Sequence, residues 1–295
     1  MTRQSRGLAF TRGLAVAAVT AATIAGCGSG GGGGDTTGSP ERAPSVTELK
    51  QRLPLYALLY TYTTTDVRVS DAKQRLIVRC MAARGFRYQP PPVVKPQKAT
   101  DLYPAPFGLE PGHLAEPAPS ESVPAERHES PAYLRALFGD PDKTISAAGA
   151  TLKVTRPATG CQADAERRLL GDGRVRWLEL RIRLGDGEKE ARRVLDQSAQ
   201  FRRAGTDWRA CMRDAGYRYK DPEEVLRKLP SATAAGEAPP ARADLGCKES
   251  TDYLRTAYGT LAEAQRAWLS ENPKVAEDWR KLERRQARAA RKVLA

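Results

Sequence analysis

Cysteine is the residue type in this chain with the widest capacity for chemistry. Thiols form disulfides, ligate metals or carry redox reactions, and their spacing separates these uses. No Cys-x-x-Cys occurs, and the two histidines, His113 and His128, both lie in a Pro-rich stretch. Neither a redox pair nor a zinc site is therefore indicated, and we expect no metal and no cofactor. The five cysteines are Cys27, Cys80, Cys161, Cys211 and Cys247.

Cys27 ends a short apolar segment close to the amino terminus. Three arginines precede residues 13–26, and this stretch is too short to span a bilayer. It ends in Ile24-Ala25-Gly26-Cys27, which is similar to the lipobox of bacterial lipoproteins. The similarity implies a signal peptide at 1–26 and a diacylglycerol on the Cys27 sulfur. An uncleaved signal anchor or an ordinary secretory peptide is the alternative.

The mature chain that this processing predicts differs in size and charge from the precursor. The precursor has 295 residues, 48 Lys+Arg and 35 Asp+Glu, a net charge of +13. Removing 26 residues and their three arginines leaves 269 residues, a charge of +10 and four cysteines besides Cys27. Residues 27–44 are Gly-rich and are interpreted as a tether. The predicted location is the outer face of the cytoplasmic membrane, with the lipid as the membrane contact.

The other four cysteines form a duplicated pattern. Cys80-Met-Ala-Ala-Arg-Gly-Phe-Arg-Tyr88 matches Cys211-Met-Arg-Asp-Ala-Gly-Tyr-Arg-Tyr219 at five of nine positions. Gly160-Cys161 and Gly246-Cys247 also match, and each is expected to open a helix. Cysteines of an exported protein form disulfides, and four of them allow three pairings. The duplication favours one bond within each copy, Cys80–Cys161 and Cys211–Cys247.

Each Cys-Met segment also predicts the end of a helix. Gly85 and its counterpart Gly216 stand where a helix stops with one residue in the left-handed conformation. Met81 then lies in the last turn, and Phe86 follows the glycine. An apolar contact between these two positions is typical of a Schellman stop.

Catalytic patterns are sparse in the rest of the sequence. The acid pairs Glu223/Glu224 and Asp164/Glu166 are the candidates for a hydrolase, but nothing in the sequence places two carboxyls across a cleft. No Gly-x-Ser-x-Gly and no His-Glu-x-x-His occurs in residues 27–295. No catalytic residue is therefore predicted, and we expect a protein that is not an enzyme.

The elements that would position the cysteines are predicted to be mainly helical. A capping box at Ser45–Glu48 opens a short segment that Pro54 interrupts. A helix is predicted from Ser70 to Arg84, with apolar residues at roughly helical spacing. Residues 89–131 are interpreted as a long, irregular Pro-rich loop.

The centre of the chain begins with smaller elements. A short helix is predicted at 133–138, and residues 143–146 and 151–155 predict a small β-hairpin. Residues 162–205 are charged and helix-prone.

Several features are expected to interrupt the helices of this region. Breaks are predicted at Gly171-Asp-Gly173 and Gly185-Asp-Gly187, and the alternation from Leu178 to Leu184 raises the possibility of a strand. Trp208 is expected to open the second Cys-Met helix. Residues 221–242 are interpreted as a second linker.

A long helical segment is predicted from Asp244 to the carboxyl terminus. Its apolar stripe keeps its phase across Pro273, which indicates one kinked helix or two helices meeting at an Asn272 cap. We expect residues 243–295 to pack on a disulfide-bonded body at 45–242, with self-association as the alternative. The fold class is therefore mainly α, with a small hairpin, a Pro-rich loop and a long C-terminal helix.

The last 18 residues concentrate positive charge. They hold seven Lys/Arg against two Asp/Glu, a net +5. Anionic phospholipid or a cell-wall polymer is the candidate contact, and a solvated helix face is the alternative. Nucleic acid is not expected, because no reading motif occurs. The seven residues are Arg280, Lys281, Arg284, Arg285, Arg288, Arg291 and Lys292.

Together, the lipobox, the paired Cys-Met-x-x-x-Gly-Phe/Tyr motifs and the Gly-Cys pairs resemble those of uncharacterised secreted lipoproteins of actinobacteria. The resemblance covers most of residues 45–295 and implies an envelope location, a helical disulfide-bonded body and no assigned activity. A non-enzymatic interaction or structural module anchored by Cys27 is the favoured hypothesis, with an unknown protein partner. An envelope-polymer hydrolase and a transporter-associated solute-binding lipoprotein are the alternatives.

Overall fold

The computed structural model describes residues 43–92, 95–96, 103–111, 129–229 and 238–295. The predicted signal peptide, Cys27, most of the tether and both histidines lie outside these residues. Within them, the chain forms eleven α-helices and one two-stranded sheet, so the mainly α fold class is confirmed. None of the described helices is long and apolar enough to cross a membrane.

The first half of the described chain contains four helices and the hairpin. They are α1 (Val46–Gln51), α2 (Pro54–Leu59), α3 (Thr64–Ala83), α4 (Pro131–Phe138), β1 (Thr144–Ala148) and β2 (Lys153–Pro157). The two strands are antiparallel, with Ser146 opposite Thr155.

The described residues of the second half form helices joined by short connections, without a strand. Its helices are α5 (Gly160–Leu170), α6 (Arg174–Gln197), α7 (Ala199–Asp214), α8 (Pro222–Lys228), α9 (Pro239–Ser250), α10 (Tyr253–Glu271) and α11 (Pro273–Leu294). A single 3₁₀ turn at Gly171–Gly173 separates α5 from α6, which agrees with the first of the two predicted breaks.

Capping boxes set the starts of α1 and α3. Ser45 accepts a hydrogen bond from the Glu48 backbone N–H, and the Glu48 carboxylate accepts one from the Ser45 N–H at 2.6 Å. Thr63 and Asp66 form a second box, with the Thr63 N–H 2.7 Å from the Asp66 carboxylate. This second box starts α3 six residues before the predicted Ser70, because it satisfies the first free N–H groups of the helix.

Helix α6 is continuous where a break and a strand were considered. Leu178 and Ile182 pack against the hairpin, while Leu180 and Leu184 pack against α2 and α11. The alternating pattern therefore arises from two i,i+4 stripes on opposite sides of one helix. Burial on two sides gives a helix the period-2 pattern of a strand.

The Gly-Asp-Gly sequence inside α6 serves packing and does not end the helix. A Cβ added to Gly187 would lie 2.7 Å from three ring atoms of Trp268 on α10. A Cβ added to Gly185 would meet no atom within 4 Å. Gly187 is thus the residue that lets the two helices approach closely, and the predicted break at this point is wrong.

α7 begins earlier than the sequence suggested, and α8 was not predicted. α7 starts at Ala199, where Ser198 accepts a hydrogen bond from the Phe201 N–H, so Trp208 lies in mid-helix and does not open it. α8 lies inside the predicted 221–242 linker. It starts at an Asp221 cap followed by Pro222 at the first helical position.

The apolar core has one part around each disulfide and a third part between them. Helices α3, α4 and α5 enclose Cys161 together with Ala290 of α11. Helices α1 and α7 to α10 enclose Cys247. Leu180 and Leu184 join α2 to α11 between these two parts.

Part of the Pro-rich loop contributes to the core. Tyr103, Phe107 and Leu109 are buried, and the Phe107 ring packs edge-on against Tyr258 at a centroid distance of 4.8 Å. Residues 103–111 contain only turns and bends, as expected for an irregular loop, but their burial against α1 and α10 was not predicted.

The helix predicted from Asp244 is interrupted after Ser250, where α9 ends, and the rest of the C-terminal segment consists of two helices. α10 ends at Glu271 and α11 begins at Pro273, and the Asn272 side chain donates to the Trp268 carbonyl at 2.9 Å. Asn272 forms no side-chain cap of α11. The open choice between one kinked helix and two helices is thereby decided for two.

Candidate interaction surface

Two disulfides connect the repeated segments. Cys80–Cys161 joins α3 to α5, and Cys211–Cys247 joins α7 to α9, with a Cα–Cα distance of 5.6 Å in each. These are the within-copy bonds that the duplication favours. On the chain-entropy model, loops of 81 and 36 residues correspond to a stabilisation of about 4 kcal/mol each.

The helix ends beside the disulfides have the expected Schellman form. The Phe86 N–H donates to the Met81 carbonyl at 3.0 Å, and Tyr217 donates to Met212 at 2.8 Å. Gly85 has a φ of 80° and its counterpart in the second copy one of 88°, the left-handed conformation that favours glycine.

The Gly-Cys pairs differ between the copies. Gly160-Cys161 opens α5 as expected. Gly246-Cys247 lies in the last turn of α9, which begins eight residues before Cys247 at Pro239, so the expectation for this pair is wrong. In each copy, the Cys-Met cysteine lies near the end of a helix. Its partner lies at the start of a helix in the first copy and near the end of a helix in the second.

A network of buried charges lies in the core around the second disulfide. Lys248 donates to the Asp244 carboxylate at 2.7 Å and to the Leu109 carbonyl at 2.6 Å. The Trp208 indole N–H donates to the other Asp244 oxygen at 2.9 Å. Burial raises the pKa of Asp244 and lowers that of Lys248, and each charge opposes the shift of the other.

A second ion pair continues this network into the Pro-rich segment. Lys50 of α1 lies 2.5 Å from the Glu110 carboxylate, which also accepts a hydrogen bond from Tyr258. Burial, followed by the Glu110 charge, raises the pKa of Tyr258 well above its ordinary value. Residues 109 and 110 are therefore bound to α1, α9 and α10 by polar contacts that exclude water.

The predicted basic tail forms the outer face of α11. Its opposite face is buried through Val275, Trp279, Leu282 and Ala290. Arg285 pairs with Asp172 at 2.5 Å, and its guanidinium lowers the pKa of that carboxyl. The other six cations are exposed and form no ion pair with the residues that the structure describes: Arg280, Lys281, Arg284, Arg288, Arg291 and Lys292.

The candidate acid pairs are dispersed among cations. Glu223 lies 2.9 Å from Arg192, and Glu224 lies 2.9 Å from Lys228. Glu166 contacts three cations, of which Lys73 is 3.0 Å away, while Asp164 pairs with Arg167. Each of these carboxylates thus has a cationic partner of its own. The described residues contain no group of three or more Asp, Glu, His or Cys side chains arranged to hold a metal ion.

Two sets of residues were not predicted from the sequence. One is the buried network, whose only local signal is the i,i+4 spacing of Asp244 and Lys248. The other is a group of arginines beside the first disulfide, which come from segments more than 80 residues apart: Arg79, Arg84, Arg167 and Arg168.

Comparison with known proteins provides no relative for this fold and these residues. No family model matches the chain, and no curated protein and no solved structure matches it either.

Proposed function

We propose that the chain is a lipid-anchored envelope protein whose helical body is a non-enzymatic interaction module. In this proposal Cys27 carries the lipid on the outer face of the cytoplasmic membrane, and the outer face of α11 contacts anionic lipid or cell-wall polymer. The resemblance to actinobacterial lipoproteins supports the anchor. The observation that carries the anionic contact is the set of six exposed, unpaired cations on α11.

The charge of α11 exceeds what its own stability requires. Cations in the last turn of a helix interact favourably with its dipole, but this effect is confined to that turn. Arg280, Lys281 and Arg284 lie several turns before the end at Leu294. Near an anionic surface each Lys or Arg contributes about 1 kcal/mol, so six of them provide a substantial, salt-sensitive attraction.

The position of Cys27 would keep the helical body close to the membrane. Fifteen residues lie between Cys27 and Ala43, the first described residue, so sixteen residue steps join them. At about 3.5 Å per residue the contour of this segment cannot exceed roughly 56 Å. An anchored body would therefore meet the membrane at high effective concentration, and a second, weak contact would add to the lipid anchor.

Two measurements test the proposal. Mass spectrometry of the membrane fraction should find a diacylglyceryl group on Cys27, and an unmodified Cys27 there would contradict the anchor. For the anionic contact, the mature-length chain (27–295) carrying Cys27→Ser is sedimented with vesicles of phosphatidylcholine alone or with 30% phosphatidylglycerol.

The matched variants remove three charges from different faces. R284Q/R288Q/R291Q should reduce binding to the anionic vesicles at least fivefold, while R203Q/R213Q/R218Q on α7 and its following turn should change it less than twofold. Equal losses in the two triple variants would show that net charge alone matters and would refute a role of α11.

A further inference from the structure

Four arginines beside the first disulfide line a cavity. Around both disulfides, the residue three positions after the Gly-Cys cysteine lies against the partner sulfur: Asp164 is 3.9 Å from Cys80 Sγ, and Ser250 is 3.7 Å from Cys211 Sγ. The two copies are therefore alike up to this point.

Beyond this point the copies differ at the positions of the four arginines that line the cavity. On the Cys-Met helices, Arg79 and Arg84 correspond to Ala210 and Ala215. α9 ends at Ser250, and the positions that match Arg167 and Arg168 by sequence spacing are Tyr253 and Leu254, the first residues of α10. Because one copy forms its disulfide without these side chains, the scaffold does not require the four arginines.

The cavity, termed here the arginine pocket, has a volume of about 570 Å³, which lies within the range of small-molecule sites. Its wall combines the four arginines with Asp164, a formal charge of +3. The remaining lining is small or apolar: Leu76, Cys80, Ala83 and Ala165.

Two of the four guanidinium groups have hydrogen-bonding capacity to spare. Asp164 bridges Arg84, at 3.5 Å, and Arg167. Arg79 donates to the Val293 carbonyl at 3.3 Å, and Arg168 forms no ion pair or hydrogen bond within the described part of the chain. Asp164 is the one carboxylate of the lining, so it acts as an internal counter-ion for half of the pocket.

We propose that the arginine pocket binds a phosphate group. Planar guanidinium groups bind phosphate oxygens through paired hydrogen bonds, and several converging arginines suit a group with two or more anionic or strongly polar oxygens. The apolar floor accommodates the glycerol or short aliphatic part of a phosphoester. A phospholipid headgroup and a soluble or polymer-borne phosphoester share this chemistry. The inference stands apart from the α11 contact, since none of the six free α11 cations lines the pocket.

The contacts of Asp164 divide the four arginines into two pairs that can be tested separately. R79Q/R168Q removes the two arginines that Asp164 does not occupy, and we expect phosphate affinity to fall at least roughly fivefold. D164N releases Arg84 and Arg167, and we expect affinity to rise by about two- to fivefold.

The experiment titrates the mature-length chain (27–295) carrying Cys27→Ser with glycerol 3-phosphate by calorimetry, and with phosphatidylglycerol vesicles by co-sedimentation. R213Q/R218Q removes two exposed arginines beside the second disulfide and should change affinity less than twofold. Circular dichroism and a thiol assay establish that each variant is folded and oxidised.

Several outcomes are decisive. Binding of glycerol 3-phosphate with the expected order of variants supports a soluble or polymer-borne phosphoester, and the same order with vesicles alone supports a lipid headgroup. No binding of either probe, or equal effects of R79Q/R168Q and R213Q/R218Q, overturns the proposal. R284Q/R288Q/R291Q should leave glycerol 3-phosphate binding unchanged, which separates this site from the α11 contact.

Discussion

Replacing Lys248 by methionine tests the buried charge network directly. Methionine retains most of the length of the side chain but removes the charge and the donors to Asp244 and Leu109. The Asp244 carboxylate would then remain buried with the Trp208 indole as its neutral donor. Removing one partner of a buried ion pair costs about 3–5 kcal/mol, a large part of the 5–15 kcal/mol that stabilises a typical domain.

Replacing Asp244, the other partner of the pair, distinguishes the cost of an unpaired buried charge from the cost of altered packing. D244N removes the other charge and keeps an oxygen that accepts from Trp208. The double variant D244N/K248M leaves no uncompensated charge in this pair. We therefore expect it to be more stable than K248M alone, by at least about 1 kcal/mol.

The assay is urea unfolding at pH 7 with both disulfides intact, followed by tryptophan fluorescence and far-UV circular dichroism. K274M, at an exposed position of α11, serves as the control and should change the free energy of unfolding by less than about 0.5 kcal/mol. A loss below about 1 kcal/mol in K248M, or a double variant that shows the sum of the single losses, would refute this reasoning.

Two further sets of substitutions test the packing of α6 and the ion pairs of Glu166 through their effects on the free energy of unfolding. Gly187→Ala should destabilise the protein by about 1–3 kcal/mol, because its methyl group would meet the Trp268 ring. Gly185→Ala, where the methyl group would meet no atom, should stabilise the protein by about 0.5–1 kcal/mol. Urea unfolding of both variants measures the two changes, and similar effects would contradict the packing role of Gly187. For Glu166, burial alone would raise the pKa, but Lys73 and Arg174 lower it from its ordinary value of 4.5. The ion pairs of Glu166 therefore add stability that is present above pH 4.5 and is lost as the pH falls through the folded-state pKa. The difference in the free energy of unfolding between wild type and Glu166→Gln should shrink over that pH range when unfolding is measured in acid. A difference that stays constant would contradict the argument.

The sequence predicted those structural features that depend only on residues close together in the chain. The Ser45 cap and the Schellman stops at Gly85 and Gly216 depend on residues within one turn, so their patterns predict them well. The disulfide pairing could be inferred because the segments around Cys80 and Cys211 are duplicated.

The sequence was misleading where tertiary contacts decide the structure. Gly187 has the appearance of a helix breaker, but its role depends on Trp268, 81 residues further along the chain. Leu178 and Leu180 alternate as in a strand because α6 is buried on two sides. The partners of Glu110 and the convergence of Arg79 with Arg168 likewise depend on helix packing, which no local pattern encodes.

α10 and α11 complete the apolar core around each disulfide, and this determines when the chain can reach its final fold. The backbone N–H of Leu55 donates to the Gln265 side chain, 210 residues away, and Ala290 completes the core around the first disulfide. Closing such long loops costs conformational entropy before the stabilising contacts can form, and this slows folding. Neither core can be completed before the C-terminal helices are available. The growing chain must therefore remain without its final tertiary structure until residues 253–294 have been synthesised.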